Sequence, residues 1–473
     1  MSGFVAWPLP VCYKSTMIFQ QLANDEAGCL SYLIGCGRAE AAVVVDPGRD
    51  RVSDYVALAR RKGLTITHVV ETHVHADHIS GNQALAAQAG ATIYIHAAAE
   101  AKYRHLPVEH GNELRVGSVS LRVLHTPGHT PDSISLLVTD LSRGEEPWFV
   151  LTGDTLFVGD VGRPDFGGER AAADLYRSLT GRLLTLADSL EVYPAHGAGS
   201  LCGRAMSSKA GSTIGFERRF NPMLRARDEE EFVRALLVGL PPTPPNFKAI
   251  IERNRSVAVL TRPDPVALTP GAVRDLLTDG AVVLDIRSAA EYGEGHIAGA
   301  LNVWIESPQF AERCGWFVVQ DAPIVFVTPG PTDLSRAVAG LSRVGLDGVR
   351  GYLQRGMTDW RSAGFPIASV PQITVHDLAT WRDERPDLVV VDVREPFEWD
   401  EGHIAGAVHL PMREVVTRRD ELPPDRPKAV LCAGGLRSST VISVLERSGT
   451  RGPWYNVTGG MTAWLKAGYQ VVR

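Results

Sequence analysis

The chain has 473 residues, of which 44% are apolar and 22% are charged, and its net charge is -6. This length predicts about three domains, and the weakly acidic composition is that of an ordinary globular protein with no nucleic-acid partner. The N-terminal segment lacks a basic start followed by a long apolar run, and no stretch of about 18 apolar residues occurs, so a cytoplasmic protein with no membrane partner is expected.

The six cysteines are too sparse for a disulfide framework, and they lie at positions 12, 29, 36, 202, 314 and 432. Reduced thiols are therefore expected. A cysteine with a special role has to be identified from its surroundings.

The first chemically distinctive segment is ETHVHADHISG, at 71–81. The run THVVETH (67–73) predicts a strand, and GNQALAAQAG (81–90) predicts the helix that follows it. Four side chains of metal-ligand type lie between them: His73, His75, Asp77 and His78. Because buried imidazoles and carboxylates are costly without partners, this density indicates a metal site rather than a packed core.

Three further candidate ligands follow later strand-like runs. They are His129 in LRVLHTPGHTPDS, Asp154 in WFVLTGDTLF and His196 in LEVYPAHGAG. If these strands belong to one sandwich, all of the candidates converge on one rim.

This pattern resembles the metallo-β-lactamase superfamily from residue 17 to about 255. The resemblance implies an α/β fold, a metallo-β-lactamase αββα sandwich, in a first domain at 1–260. In dinuclear members, usually with zinc, one pocket would hold His73, His75, His129 and Asp154, and the other Asp77, His78, Asp154 and His196. In a branch that resembles the persulfide dioxygenases, His73, His129 and Asp154 alone would hold a single iron. The ligand motif leaves both arrangements open.

Two nearby segments favour the iron branch. The segment GRPD (162–165) is similar to a Gly-Arg-Thr-Asp sequence of the dioxygenase branch, with the proline as a departure, and predicts that Arg163 and Asp165 bind an anionic substrate. Cys202, shortly after His196, is predicted to receive or hold a persulfide.

Proline-rich stretches at 240–247 and 262–270 then indicate a domain boundary. Beyond it, VLDIRSAAEYGEGHIAGALNV from Val283 recurs as VVDVREPFEWDEGHIAGAVHL from Val390. This internal repeat predicts two tandem units, at 266–369 and 370–473, each with a mainly parallel sheet and helices on both faces.

The second unit carries the loop CAGGLR between a strand and a helix. Its residues Ala433, Gly434, Gly435 and Leu436 are predicted to bind substrate through backbone N–H groups that point to one centre. Together with the positive end of the helix, this environment suits a thiolate or persulfide at Cys432, and Arg437 adds a positive charge.

The corresponding loop of the first unit has lost these features. Thr328 replaces the thiol, Asp333 replaces the arginine, and Pro329 and Pro331 remove two backbone donors. The first unit is therefore predicted to be inactive, with two roles left open: a spacer, or a contact in a homo-oligomer.

Both units resemble rhodanese domains, through DVREPFEWDEGHIAGA and the C-x-G-G-x-R loop. The resemblance implies that Cys432 carries sulfane sulfur as a persulfide. Asp392, Arg394 and His403 belong to the shared signature. Since they recur in the inactive unit as Asp285, Arg287 and His296, they are predicted to be structural.

Together the resemblances imply an enzyme that oxidises a low-molecular-weight thiol persulfide to sulfite with O2 at one Fe(II) per chain. Cys432, assisted by Arg437, would transfer sulfane sulfur and form thiosulfate when sulfite is the acceptor. Fusion of the two activities raises the effective concentration of their shared intermediate.

Two alternatives belong to other functional classes. The first is a zinc hydrolase of the glyoxalase II type, with one or two Zn(II), in which metal-bound hydroxide attacks a thioester. The second is a sulfur-carrier or docking module with a structural metal, which requires a site closed by four protein ligands.

Overall fold

A computed structural model of the chain describes residues 16–24, 27–165, 167–200, 203, 206–240, 242–257 and 264–473. The described residues up to 243, together with 247–257, form one compact unit, and 244–246 with 264–473 form a second. Cys202 lies outside the described residues. None of the described helices has both the length and the apolar character that crossing a bilayer requires.

The first unit contains two sheets. One sheet has its strands in chain order: β1 (Met17–Asn24), β2 (Cys29–Cys36), β3 (Ala41–Val45), β4 (Thr65–Val70), β5 (Thr92–His96) and β6 (Leu106–Val108). The other has the order β12-β11-β10-β9-β8-β7, with β7 (Glu113–Val116), β8 (Val119–His125), β9 (Ile134–Asp140), β10 (Phe149–Gly153), β11 (Glu191–Pro194) and β12 (Ser212–Thr213). Strands β3 to β6 are parallel, as is the pair β10 and β11.

Helices cover the outer faces of this sandwich. They are α1 (Val52–Arg61), α2 (Asn82–Ala89), α3 (Gly168–Ser178), α4 (Ile214–Phe220), α5 (Glu229–Leu237) and α6 (Phe247–Arg255). Since successive strand residues point to opposite faces, Ile34 packs in the core between the sheets while Leu33 packs against Tyr55 of α1. Leu175 of α3 packs against Val150 on the outer face of the second sheet. The predicted αββα layering is therefore confirmed.

The second unit contains two sheets of identical strand order. The first is β13-β17-β16-β14-β15 and the second is β18-β22-β21-β19-β20, and all of their pairings are parallel. The strands are β13 (Val266–Leu268), β14 (Val282–Asp285), β15 (Leu301–Asn302), β16 (Ile324–Val327), β17 (Val349–Leu353), β18 (Gln372–Ile373), β19 (Val389–Asp392), β20 (Val408–His409), β21 (Lys428–Leu431) and β22 (Trp454–Val457). Every residue of β14, β16, β19 and β21 is buried, as expected for strands covered on both faces.

The helices of the second unit connect these parallel strands. They are α7 (Pro270–Thr278), α8 (Ala289–Glu294), α9 (Phe310–Phe317), α10 (Pro331–Arg343), α11 (Met357–Ser362), α12 (Val375–Glu384), α13 (Pro396–Asp400), α14 (Val415–Arg418), α15 (Leu436–Arg447) and α16 (Gly460–Lys466). The parallel sheets predicted from the internal repeat are confirmed, and the two repeats share one topology.

A close backbone contact fixes the loop after β21. The first N–H groups of α16 bind this loop, because Met461 N donates to the Cys432 carbonyl at 2.8 Å and Thr462 N to the Ala433 carbonyl at 3.0 Å. Gly460 has φ +49°, and a Cβ at this position would overlap the Cys432 carbonyl oxygen. Only glycine permits this approach without displacement of the loop.

We expect Gly460→Ala to lower the free energy of unfolding of the second unit by about 3 kcal/mol, since overpacking adds to the cost of a left-handed alanine. Gly468→Ala is the matched control, because Gly468 also has a positive φ of +79° but has no atoms near its missing Cβ. The control should cost about 1 kcal/mol. Equal shifts of the thermal unfolding midpoint in the two variants would contradict this account.

Candidate functional sites

The predicted metal ligands lie at one rim of the αββα sandwich. The segment 71–78 follows β4, His129 lies between β8 and β9, Asp154 follows β10, and His196 follows β11. The predicted strand at 67–73 ends at Val70, earlier than expected, because the ligand-bearing segment leaves the sheet as a loop. Convergence of the strand ends on one rim is as the sequence indicates.

Among the described residues, the ligand-type side chains separate into three groups, buried except for the half-buried Cys29, and within each group the potential ligand atoms lie within 4.8 Å of one another. The groups are His73, His129 and Asp154; Cys29, Asp77, His78 and His196; and Asp46, Glu71 and His75. Sequence reasoning missed Cys29, Asp46 and Glu71. The position of Asp46 directly after a buried strand was the one signal that would have marked it.

The first group has the arrangement of a three-ligand metal site. Asp154 Oδ2 lies 3.9 Å from His73 Nε2 and 3.6 Å from His129 Nε2. Within the described part of the chain, His73 Nε2 is buried without a hydrogen-bond partner. A buried orphan nitrogen facing a carboxylate and a second imidazole fits a bound metal ion, which would satisfy all three groups.

Hydrogen bonds on the far side of both rings fix which nitrogen faces the site. His129 Nδ1 donates to the Arg163 carbonyl oxygen at 2.8 Å, which leaves the Nε2 lone pair of His129 available. Thr72 Oγ1 donates to Asp46 Oδ2 at 2.8 Å, so at 2.9 Å it accepts the proton of His73 Nδ1. Such outer partners are what orient metal-binding imidazoles.

The electrostatics of the group also suit ligation. Burial, followed by the nearby His75, holds the pKa of His73 well below its usual value, so the ring is neutral. Burial alone would raise the pKa of Asp154, but His196, at 2.7 Å from its Oδ1, lowers it below the usual range. A neutral imidazole and an ionised carboxylate are the protonation states that a metal ion requires.

His75 belongs to a different group. Its Nε2 lies 3.3 Å from Asp46 Oδ1 and 3.1 Å from Glu71 Oε2. Burial opposes protonation of His75, yet the hydrogen bonds with Asp46 and Glu71 raise its pKa well above the usual value. Two carboxylates therefore bind the Nε2 side of this ring, while its buried Nδ1 atom has no hydrogen-bond partner among the described residues and its centroid lies 4.2 Å from that of His73.

The remaining ligand types form a second pocket linked to the first through Asp154. His196 Nδ1 contacts Asp154, and its Nε2 lies 2.9 Å from Asp77 Oδ2. His78 Nδ1 lies 3.1 Å from Asp77 Oδ1, and Cys29 Sγ lies 3.4 Å from Asp77 Oδ2. Asp77 is thus the centre of this pocket.

Arg163 and Asp165, predicted to bind substrate, pair with each other. Arg163 is only 2% exposed, and its Nη2 donates to Asp165 Oδ1 at 2.7 Å. The structure shows one contact that the sequence did not predict, in which the Arg163 carbonyl oxygen accepts a hydrogen bond from His129 Nδ1. This segment therefore orients a candidate ligand, and its predicted role in substrate binding stays a prediction.

The predicted sulfur-transfer site lies at the carboxyl end of β21. Cys432 Sγ accepts the Gly435 N–H at 3.0 Å and lies 3.7 Å from Ser438 Oγ. The carbonyl groups of Cys432 and Ala433 are held on the opposite side by α16. One loop N–H, that of Gly435, thus binds the sulfur, which suits a sulfur anion. Substrate binding by Ala433, Gly434, Gly435 and Leu436 stays a prediction.

Arg437 lies in this site but is already paired. It forms a bidentate ion pair with Glu398, at 2.6 and 2.7 Å. Burial favours a lower pKa for Arg437, but the hydrogen bonds with Glu398 raise the pKa above its usual value. The positive charge predicted at this position is thus balanced by a carboxylate.

The shared signature residues make backbone and ring contacts within each repeat. The Arg394 guanidinium binds the Asp392 carboxylate and the carbonyls of Glu398 and Gly402, and His403 stacks on Trp399 at 3.6 Å between ring centroids. These contacts agree with the structural role predicted for them. In the first repeat, Thr328 Oγ1 bonds to Gly330, and α10 begins at Pro331.

Comparison with known proteins identifies both parts of the chain. Residues 24–196 match the metallo-β-lactamase superfamily, and residues 269–363 and 374–467 each match the rhodanese-like domain. The crystal structure of a metallo-β-lactamase from Staphylococcus aureus subsp. aureus COL is 33% identical with a TM-score of 0.65, and the match covers 72% of this chain and 99% of that one.

Two curated relatives match part of the chain. Mouse mitochondrial persulfide dioxygenase ETHE1 is 28% identical over 247 residues, which cover 52% of this chain and 91% of the relative. A hydroxyacylglutathione hydrolase of Nitrosococcus oceani is 35% identical over 184 residues, or 38% of this chain and 66% of the relative. The chain therefore belongs to the metallo-β-lactamase superfamily and is an enzyme that carries two rhodanese-like domains.

Proposed function

We propose that the chain is an iron-dependent persulfide dioxygenase joined to a sulfurtransferase. The observation that carries the proposal is the group of His73, His129 and Asp154, in which two imidazoles direct Nε2 lone pairs toward one carboxylate. Two histidines and a carboxylate on one face are typical of non-haem Fe(II) oxygenases. Similarity to a persulfide dioxygenase and the presence of rhodanese-like domains support the choice of a sulfur substrate.

In this proposal the protein holds one ferrous ion through three side chains, which leave coordination positions for other ligands. Iron in this site would supply the redox chemistry that joins O2 to a sulfur anion. The net reaction consumes a thiol persulfide, O2 and water and releases the thiol, sulfite and two protons. The terminal sulfur is oxidised, and both oxygen atoms of O2 are reduced.

The second part of the proposal is sulfane-sulfur transfer at Cys432. The Cys432 thiolate attacks the outer sulfur of a donor persulfide, and the donor leaves as a thiolate with the electron pair of the broken S–S bond. Sulfite then attacks the terminal sulfur of the Cys432 persulfide, thiosulfate departs, and the Cys432 thiolate is restored. The Gly435 N–H, which already binds the sulfur, stabilises each anionic state.

A dinuclear zinc thioester hydrolase is the second candidate function. The pocket of Cys29, Asp77, His78 and His196 next to the first group favours it, as does similarity to a hydroxyacylglutathione hydrolase. His75 is also compatible with this candidate, because its ring centroid lies 4.2 Å from that of His73 and its buried Nδ1 atom has no hydrogen-bond partner among the described residues. The hydrolase is the weaker candidate because thioester hydrolysis gives no chemical role to the Cys432 loop.

Thr72→Val tests the orientation of His73 with almost no change of side-chain shape. Loss of the Oγ1 acceptor frees the Nδ1 proton of His73, and we expect iron affinity to fall about 10- to 100-fold. Thr67→Val is the matched control, because Thr67 Oγ1 lies 2.8 Å from Nδ1 of His68, which belongs to none of the ligand groups. Competition with a chelator measures the affinity, and equal losses in the two variants would refute the assignment.

Two substitutions should separate the two activities. His129→Ala removes a proposed iron ligand, and we expect oxygen uptake on a thiol persulfide to fall by about 100-fold or more. Cys432→Ser should retain oxygen uptake and sulfite formation and lose thiosulfate formation. Cys314→Ala, a buried cysteine of the first repeat, is the control for cysteine removal. Loss of oxygen uptake in Cys432→Ser would show that the two sites do not divide the chemistry in this way.

A further inference from the structure

Helix α15, which begins directly after the Cys432 loop, is covered on every side. All eight residues from 438 to 445 are buried, and a run of this length covers more than two turns of a helix. Four of them carry hydroxyl groups: Ser438, Ser439, Thr440 and Ser443. Since a buried hydroxyl without a partner is costly, the partners of these groups identify what holds the helix.

The first repeat supplies partners for two of these hydroxyl groups through Asn302. Ser439 Oγ donates to Asn302 Oδ1 at 2.6 Å, and Asn302 N donates to Ser443 Oγ at 3.0 Å. Ser439 and Ser443 lie one turn apart on the same face of α15. Asn302 is the last residue of β15, so one residue of the repeat without a cysteine contacts two successive turns of the helix.

The side chain of Asn302 is itself fixed within the first repeat. Its Nδ2 donates to the carbonyl oxygens of Asp285 and Arg287, both at 3.0 Å, and the residue is only 1% exposed. Because both N–H groups of the amide are used in this way, Oδ1 is the atom that faces α15, and the Ser439 hydroxyl is the donor. The direction of this contact is therefore set by the backbone around β14 and β15.

Two further contacts extend along the same face of α15. Glu446 Oε2 lies 3.5 Å from His296 Nε2. Arg447 Nη1 donates to the Gly299 carbonyl oxygen at 3.4 Å. These residues follow the two serines at helical spacing, so a continuous stripe of the helix rests on the first repeat.

The contact is not reciprocal between the repeats. The residue of α10 that corresponds to Ser439 is Ser335, which is exposed. The residue of the second repeat that corresponds to Asn302 is His409, and its Nε2 lies 3.0 Å from the Arg394 carbonyl oxygen of the same repeat. The first repeat thus holds the helix of the second, whereas the equivalent helix of the first is open to solvent at this position.

The helix that is held in this way is the one whose first turn faces the sulfur of Cys432. Gly435, the residue before α15, donates its N–H to Sγ at 3.0 Å, and Ser438 Oγ lies 3.7 Å from the same atom. Ser439 is the next residue along the chain. A rotation or a shift of α15 would therefore change both contacts with the sulfur.

We propose that the repeat without a cysteine positions the sulfur-transfer site of the second repeat, and that Asn302 does so by fixing α15 through Ser439. This role rests on the sulfur-transfer part of the proposed function and gives the first repeat a part in that chemistry. Asn302 is a positioning residue, because it contacts no reacting atom. By fixing α15 it sets the distance from the Gly435 N–H to the Cys432 sulfur, and a helix N-terminus close to a cysteine stabilises the thiolate.

Three variants of the full-length, iron-loaded protein test the role of this pair: Ser439→Ala, Asn302→Ala and the two combined. Ser448→Ala is the matched control, because the Ser448 hydroxyl donates to the Val444 carbonyl oxygen of α15 itself at 2.7 Å. The control removes a hydroxyl group at the other end of the same helix and leaves the contact with Asn302 unchanged.

Two measurements are made on each protein. The first is the rate at which iodoacetamide alkylates Cys432 as a function of pH, followed by the mass of the Cys432 peptide. The second is thiosulfate formation from glutathione persulfide and sulfite in the absence of O2, with Cys432→Ser as the background. Arg437 and Glu398, the charged pair of the site, are the same in all of these proteins.

We expect Ser439→Ala to raise the midpoint of the alkylation rate by about half a pH unit, since weaker contact with the helix N-terminus destabilises the thiolate. The kcat for thiosulfate formation should fall about tenfold, because the unpaired Asn302 oxygen displaces the helix, while the KM for the persulfide stays within about twofold. The double variant should match Asn302→Ala, because the two groups form one pair. Ser448→Ala should keep the wild-type midpoint and kcat.

A wild-type midpoint and kcat in a folded Ser439→Ala protein would overturn the proposal, and so would effects equal to those of Ser448→Ala. Thermal unfolding shows which variants are folded, and Ser439→Ala alone decides the outcome if Asn302→Ala does not fold. Failure of the proposed function has a different result. In that case the wild-type protein forms no thiosulfate above the background, while the alkylation midpoint still depends on Asn302 and Ser439.

Discussion

The hydrogen bonds of the Asp46 carboxylate are the constraint on which the candidate metal centre depends. Asp46 accepts the Thr72 N–H at 2.7 Å and the Thr72 hydroxyl at 2.8 Å, and it lies 3.3 Å from His75 Nε2. One carboxylate thereby sets the direction of the Thr72 proton, the tautomer of His73 and the position of His75. Since these groups are all buried, their hydrogen bonds are electrostatically stronger than they would be in water.

The candidate metal ligands that lie in recognisable motifs could be predicted from the sequence. Which of them form one metal site could not be predicted. His73, His129, Asp154 and His196 each follow a predicted strand, and strand ends of one sandwich meet at a rim. The pairing of His75 with Asp46 and Glu71 depends on contacts between β3 and β4 that no local pattern encodes. Cys29 was missed for the same reason, because it meets Asp77 only after β2 joins the sheet.

The repeat architecture could be predicted because the chain contains two similar copies of one sequence segment. Strand order and the Asp–Arg ion pairs are the same in both copies, at Asp285 with Arg287 and at Asp392 with Arg394. The difference lies in the loop after β16 or β21, where Thr328 stands in the first copy and Cys432 in the second.

The central claim is that His73, His129 and Asp154 hold one iron ion that serves persulfide oxidation. The most direct test is metal analysis of the iron-loaded wild-type protein combined with oxygen uptake on a thiol persulfide, with sulfite measured as the product. The account predicts one iron per chain and one sulfite formed for each O2 consumed. Two zinc ions per chain, thioester hydrolysis and no oxygen uptake by the iron-loaded protein would contradict it.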